Sequence, residues 1–346
     1  MSERTQADAP LTGNRQYHIA LERGELAEYV LLVGDPGRVS RVASRWDAIE
    51  LERSNREITT ATGIYRGMPI SCMSTGMGTD NVEIVLAEVM EITDHATFIR
   101  IGSSGALQPA IGLGDLIVST GAVRLENTTD FYVHPGFPAI AHRDVVWALE
   151  HSCREQGIRY HVGLTATASG FYAPQGRQMR TLPVRYPELA DELRRQRVAN
   201  LEMESSALFV LAHLAGLRSG TVCAAYAQRT DGTFLEGAAK EAAEARCIDA
   251  GLAGIHLLWQ VDAEGGDFIA RRGASFDQQA GALNHRPAPR PANREAIEPM
   301  ATEAYCVKCK AKREMLNENK ITMKNGKPAT EGVCPVCSTK MFKIGG

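Results

Sequence analysis

Four short stretches carry side chains whose types and spacing suit the handling of an anion, a sugar and a flat polar ring. Gly34-Asp-Pro-Gly-Arg38 and Arg100-Ile-Gly-Ser-Ser-Gly-Ala106 each join glycines to an arginine. Glycine lets backbone N–H groups approach an anion closely, and a helix N-terminus favours negative charge beside them. Arg38 and Arg100 add planar, permanently charged forks matched to phosphate oxygens, and Ser103 and Ser104 add hydroxyl donors. In Asn200-Leu-Glu-Met-Glu204-Ser, a carboxylate can accept from two adjacent furanose hydroxyls and balance positive charge growing on the anomeric carbon, while Met203 lies under the ring. Phe171-Tyr-Ala-Pro-Gln-Gly-Arg177 gathers an aromatic ring, an amide and a third arginine within seven residues. Gln175 offers both donor and acceptor and Arg177 donors only, which complements the O4/N3 and O2 edge of uracil, with Phe171 to stack on base or sugar.

Each stretch alone also fits a plainer role. The two glycine stretches could be ordinary strand-to-helix turns, Glu202 and Glu204 an acidic helix start favoured by the dipole, and 171–177 a polar surface loop. Four in order, over about half the chain, read instead as one site in which phosphate breaks a glycosidic bond. Other phosphate signatures are missing from the sequence. No G-x-G-x-x-G opens the first unit, Gly76-Met-Gly-Thr-Asp-Asn81 lacks the third glycine, and no GxxxxGK[ST] loop occurs.

Positioning such groups requires strands that end together. Tyr29–Val33 is an apolar run closed by glycine, as expected of a strand buried on both faces. Ile70–Ser74, Thr97–Ile101, Leu116–Ser119, Val162–Ala166 and Thr221–Ala225 read similarly. Helical patterns run over Val39–Ser44, Asn81–Glu91, Arg143–Gln156, Glu188–Arg197, Met203–Leu214 and Ala238–Leu258. Strands alternating with helices define an α/β domain around a parallel or mixed sheet. In this reading both arginine stretches are turns after strands.

Composition divides the chain further. Residues 1–14 read as a loose leader, 15–261 as the α/β domain, 262–303 as a Gly-, Pro-, Ala- and Arg-rich flexible tether, and 304–346 as a small basic module. That module holds nine Lys/Arg against three Glu, a balance of +6, so the rest of a chain of net charge −3 carries −9. The average charge thus gives no argument for nucleic acid, whereas the asymmetry argues for two modules with different tasks. The start is polar and no apolar run approaches a membrane span, so the cytoplasm is the expected compartment. Cys72, Cys153, Cys223 and Cys247 lie among apolar neighbours and are expected to be buried thiols.

The other four cysteines form two knuckles, Cys306-x-x-Cys309 and Cys334-x-x-Cys337, 24 residues apart. Two such knuckles complete a tetrahedral structural Zn²⁺ site, with redox chemistry the alternative. A module of 43 residues buries little core, so the metal would supply much of its folding energy. Nucleic acid, a docking protein, or no specific partner all remain open for its basic surface; Tyr305 and Phe342 are its only aromatic residues.

The residues from about His18 to Leu258 resemble the nucleoside phosphorylase family, its uridine-cleaving branch in particular. The resemblance rests on His-Ile-Ala-Leu at His18, Gly34–Val39, Asn55–Gly63 around Arg56, Ser74–Gly78, Arg100–Ala106, Phe171–Arg177, Asn200–Ser205 and Gln228-Arg229-Thr230. It implies a three-layer fold, a central mixed sheet flanked by helices, to which the Cys₄ zinc ribbon is appended. It also implies phosphorolysis of uridine, or of deoxyuridine or thymidine, in pyrimidine salvage, a pentosyltransferase reaction with phosphate as co-substrate and no catalytic cofactor. Gly34, Arg38, Arg100 and Ser103 (where threonine is more usual) would bind phosphate. Arg56 would reach the phosphate of a neighbouring subunit, and His18 would cross to its ribose 5′-hydroxyl. Met203 and Glu204 would hold the ribose. Gln175 and Arg177 would read uracil, beside Phe171, with Arg229 supporting the loop. Arg100, Arg177 and Glu204 would carry catalysis. Glu57 and Ser74 would hold a monovalent cation between subunits of a homo-oligomer, a dimer or a hexamer built as a trimer of dimers. Gln228-Arg229-Thr230 stands where the purine branch places a Ser-Asp pair, which favours a pyrimidine. The segment Met179–Asn200 matches the family loosely and is expected to form a flap. The alternatives are a purine or hydrolytic member of the same fold, or a non-catalytic nucleoside sensor acting through its zinc ribbon.

Overall fold

A computed structural model describes residues 5–7, 9–265, 303–323 and 328–344. Most of the tether expected over 262–303 lies outside the described residues. These fall into two compact units, one ending at Gly265 and the other beginning at Glu303.

The first unit opens with a small antiparallel hairpin, β1 (Leu11–Thr12) and β2 (Arg15–Gln16), at the end of the stretch read as a leader. There follow β3 (Tyr29–Val33), α1 (Pro36–Ala43), β4 (Ala48–Asn55), β5 (Ile58–Tyr65), β6 (Met68–Ser74), α2 (Thr79–Ile92), β7 (Thr97–Ala106) and β8 (Leu116–Leu125). The unit continues with β9 (Ala139–Ile140), α3 (Arg143–Glu155), β10 (Tyr160–Ala168), α4 (Leu189–Arg195), β11 (Asn200–Glu202), α5 (Ser205–Leu214), β12 (Arg218–Gln228) and α6 (Gly237–Ala263).

Every residue of β3 is buried, because both faces of the sheet are covered. Leu31 and Val33 pack with Val39 and Val42 of α1, Leu149 of α3 and Ile255 of α6. Val30 and Leu32 point the other way, into a core with Val85 of α2 and Phe209 of α5. Helices, mixed sheet and helices thus form the three expected layers. The sheet runs β10-β8-β12-β7-β3-β6-β5-β4, and β11 bonds both β10 and β7. One end is therefore a closed ring of β7, β12, β8, β10 and β11, while β3, β6, β5 and β4 continue as an open sheet. β3, β7 and β12 are parallel, but β3 stops at Val33, opposite Ile101, and β7 continues to Ala106. This step at the carboxyl ends of parallel strands leaves a crevice, the usual place for ligands in open α/β sheets.

Two readings need correction. Arg100–Ala106 is not a turn: β7 runs unbroken to Ala106, with Ser103 opposite Ala224 of β12 and Gly105 opposite both Ala227 of β12 and Leu201 of β11. Pairing on both edges holds Gly105 extended, and pairing with Cys223 of β12 holds Gly102. The β4–β5 hairpin also went unread, since β4 is an edge strand whose charged, half-exposed residues (Glu-Leu-Glu-Arg-Ser-Asn) lack an apolar run.

The second unit has β13 (Glu303–Cys306) paired with β14 (Ala311–Glu314), and an antiparallel sheet of β15 (Leu316–Thr322), β16 (Pro328–Val333) and β17 (Lys340–Ile344). Its core is Ala304, Met315, Met341 and the cysteines.

Gly63 tests the hairpin register. It faces Ile49 beside a bulge in β4, and a Cβ there would stand 2.1 Å from the Ala48 carbonyl oxygen. Gly63→Ala should cost about 1–3 kcal/mol, read as a fall of several degrees in Tm; an unchanged Tm contradicts this register.

Candidate active site and metal centre

The anion end is built where β3 meets α1. Asp35 caps the helix, accepting from the Gly37 N–H at 2.9 Å, and Pro36 takes the first helical position, where its missing N–H costs nothing. The turn is therefore short, and it brings Arg38 under the sheet with 7% exposure. Its Nε donates to Glu244 Oε2 at 2.9 Å and its Nη1 to the Ile101 carbonyl at 3.2 Å.

Arg100, in β7, lies between two carboxylates. Its Nε donates to Glu202 Oε2 at 3.2 Å and its Nη2 donates to Glu204 Oε2. All three residues are at most 5% exposed. Glu202 also accepts the N–H groups of Glu204 and Ser205 at 2.9 and 3.0 Å and the Thr167 hydroxyl at 2.5 Å. Glu204 accepts the Gly78 N–H at 2.8 Å. Burial works against the Arg100 charge, yet Glu204 and Glu202 hold its pKa above the ordinary arginine value. Burial pushes the Glu204 carboxyl up, more strongly than Arg100 draws it down. Gly102 admits the arrangement, since a Cβ there would meet Cys223 Sγ at 2.8 Å and Arg100 Nη2 at 3.0 Å.

These groups open onto one cavity of about 710 Å³. Gly34, Arg38, Arg100, Ser103, Phe171, Gln175, Arg177, Met203 and Glu204 all line it. So do Met77, Ser104, Glu202, Tyr226 and Phe234. Of these, Tyr226 and Phe234 carried no signal in the sequence, because an aromatic at the end of an apolar strand or in a loop reads as core or surface.

The base end is the loop 171–177. Gly176 has φ +68°, and a Cβ there would crowd the Tyr186 and Pro187 carbonyls at 3.1 Å, so glycine lets residues from the expected flap segment pack on the loop. Gln175 is 2% exposed. The Arg177 guanidinium stacks 4.1 Å from the Phe171 ring centre, and burial lowers its pKa. Arg177 Nε and the Ser104 hydroxyl are buried with no partner among the described residues. Buried donors of this kind are expensive unless something bonds them. Arg229 does not line the cavity: its Nη2 donates to the Gln175 carbonyl at 3.1 Å, behind the loop, and burial, then Arg177, bring its pKa down to about 10.

His18 and Arg56 are not brought into this cavity. His18 Nδ1 sits 2.6 Å from Glu88 Oε1, and Arg56 donates to the Tyr17 hydroxyl at 3.0 Å and lies over the Tyr17 ring. The Asn55 amide, donating to the Tyr17 and His18 carbonyls, joins the two into one patch. Glu57 lines the cavity beside this patch, and the Ser74 hydroxyl donates to the Glu57 carbonyl at 2.9 Å while accepting from the Thr59 N–H.

In the second unit the four thiols of Cys306, Cys309, Cys334 and Cys337 lie within 4.8 Å of one another. Sulfur pairs stand 3.3 to 3.9 Å apart, close to the roughly 3.8 Å that four Zn–S bonds of about 2.3 Å in a tetrahedron require. The Cys309 N–H donates to Cys306 Sγ, as in a knuckle. Four soft ligands and no open position fit a structural zinc ion.

A closed strand ring feeding an arginine- and carboxylate-lined crevice at its carboxyl end defines a phosphorylase class of fold. Residues 28–251 match the phosphorylase superfamily, and the chain belongs to that family. Residues 305–344 match a domain of unknown function. A uridine phosphorylase of Thermococcus kodakarensis is 46% identical over 230 residues, 66% of this chain and 83% of that protein. A guanosine phosphorylase of Halorubrum lacusprofundi is 31% identical, over 66% of this chain and 88% of its own. Among solved structures, a Trypanosoma brucei nucleoside phosphorylase that shows uridine phosphorylase activity superposes with a TM-score of 0.67 at 27% identity, over 72% of this chain and 99% of its own.

Elemental analysis of the purified full chain should find one zinc per chain. Cys334→Ser should lower that occupancy sharply and expose the second unit to proteolysis, and full occupancy in the variant contradicts the assignment.

Proposed function

We propose that the protein cleaves uridine with inorganic phosphate, giving uracil and ribose 1-phosphate. The observation that carries this reading is the convergence of Arg38, Arg100, Gln175, Arg177 and Glu204, from four separate segments, on one cavity. The 46% identity to a uridine phosphorylase supports it.

In the proposed reaction a phosphate oxygen bonds to C1′ as the C1′–N1 bond breaks, and the bonding pair leaves with uracil. Gly34, Arg38, Arg100 and Ser103 hold the phosphate, whose charge stabilises the cationic sugar. Glu204 accepts from the ribose hydroxyls above Met203. Arg177 and Gln175 donate to the departing base, so the unpartnered Arg177 N–H acquires an acceptor as negative charge develops there. Positioning and fixed electrostatics do this work without a protein nucleophile. Arg56 and His18 serve the cavity of a second copy of the chain, and a monovalent cation near Glu57 and Ser74 steadies that contact. The support is that Arg56 and His18 share a patch beside Glu57 but stand outside their own cavity. The second unit is a zinc ribbon, supported by the convergence of its four cysteine thiols.

Among the described residues no helix is long and apolar enough to cross a membrane, and a cytoplasmic location accords with eight cysteines that form no disulfide. A purine reading has one observation in its favour, the guanosine phosphorylase relative. Against it, Gln228-Arg229-Thr230 carries no carboxyl that could protonate a purine ring, and the Gln228 amide is already engaged by the Gln108 and Ile111 carbonyls and the Thr230 N–H.

A nucleoside panel, with and without phosphate, decides between these. Uridine should be cleaved at least tenfold faster than guanosine or inosine, and only with phosphate; preference for guanosine would overturn the base assignment. Arg177→Ala should lower kcat/KM for uridine about 100- to 1000-fold, or about 2.7–4 kcal/mol by analogy with a lost oxyanion donor; near-native turnover contradicts its role.

A further inference from the structure

Behind the anion end lies a carboxylate that the proposed reaction does not use. Glu244 stands on the second turn of α6 with its side chain 15% exposed. Its Oε2 accepts from Arg38 Nε at 2.9 Å and its Oε1 from Arg41 Nε at 2.5 Å. The Tyr226 hydroxyl, which belongs to a residue lining the cavity, donates to Oε2 at 3.4 Å. A single carboxylate thus joins α6 to two arginines of α1 and to the end of β12.

We propose that Glu244 is the positioning residue of the phosphate subsite: it holds Arg38 from behind so that the outer edge of the guanidinium is presented to the anion. The inference rests on the assignment of Arg38 to phosphate. Arginine carries five N–H donors in a rigid fork. Glu244 and the Ile101 carbonyl take one each, on Nε and Nη1, and Nη2 has no partner among the described residues. The fork is therefore anchored by its inner edge. A four-bond side chain fixed in this way does not have to be ordered when phosphate arrives, and charge-assisted bonds make the anchor strong. Burial raises the Glu244 carboxyl, but Arg38 and then Arg41 outweigh it and keep the group below the usual carboxylate range. Glu244 is ionised, accordingly, whenever the site would work.

The proposal makes a prediction opposite in sign to simple electrostatics. Glu244 is a negative charge near an anion site, so by charge alone its removal should tighten phosphate binding. By anchoring, its removal should loosen it. Glu244→Gln keeps the size and removes the charge. The expected result is a KM for phosphate raised at least tenfold, with kcat at saturating phosphate and the KM for uridine within about threefold of the parent. Glu244→Asp, which keeps the charge, should recover much of the loss. Glu241→Gln, an exposed neighbour on α6, should match the parent. A phosphate KM that is unchanged or lower in Glu244→Gln overturns the proposal, as does a fall in kcat alone. Calorimetric titration of the same proteins with inorganic phosphate separates this from the uridine reading. If the parent cleaves no nucleoside yet Glu244→Gln binds phosphate tenfold more weakly, the reaction assignment fails and the positioning role stands. If parent and variant bind phosphate equally, the positioning role fails whatever the activity.

Discussion

One buried arginine between two buried carboxylates constrains the rest of this structure. An isolated charge inside a protein is costly, and a half-satisfied ionic cluster is worse than none. Arg100, Glu202 and Glu204 avoid that cost only because the fold supplies the remaining partners: the Glu204, Ser205 and Gly78 N–H groups and the Thr167 hydroxyl. Supplying them requires β11 to end at Glu202, α5 to begin at Ser205 and β10 to lie alongside. The closure of the ring by β11, bonded to β10 on one side and β7 on the other, meets these needs together.

The cluster is close to, but not at, electrical balance. One guanidinium faces two carboxylates, and burial, with the neighbouring Glu202 adding to it, holds the Glu204 carboxyl above its ordinary pKa despite Arg100. On the proposed reading, an incoming phosphate shares Arg100, and Glu204 turns to the ribose hydroxyls. Charges already fixed in a buried cleft need little rearrangement as the reaction proceeds, which is where preorganised electrostatics gains its effect. Arg38 and Arg177 extend the same principle. Arg38 is buried and held along one edge by Glu244, Arg177 is half-buried and stacked on the Phe171 ring, and each has donors left over.

Much of this was legible before the fold. Tyr29–Val33 declared itself as a doubly buried strand because its residues are all apolar, and the spacing of the cysteine knuckles announced a cluster of four thiols that could hold a metal. Nine of the residues named for phosphate, ribose or base meet in one cavity because glycine, arginine and carboxylate stretches have few other reasons to coexist. The failures are equally physical. Arg100–Ala106 was taken for a turn since its glycines look like turn residues, whereas Gly102 and Gly105 are small to admit Cys223 and Arg229. Pairwise packing of that kind leaves no local trace. Glu244 escaped for the same reason: its partners Arg38 and Arg41 are about two hundred residues away. His18 and Arg56 could be named only by resemblance, and the fold leaves both outside the cavity of their own chain.

The central claim is that preset charges let phosphate, and not water, displace the base. Uridine and inorganic phosphate in ¹⁸O-enriched water, followed by ³¹P NMR and mass spectrometry, test it most directly. The account predicts ribose 1-phosphate equimolar with uracil and no solvent oxygen in the sugar. Free ribose carrying the label, with the phosphate unconsumed, would contradict it.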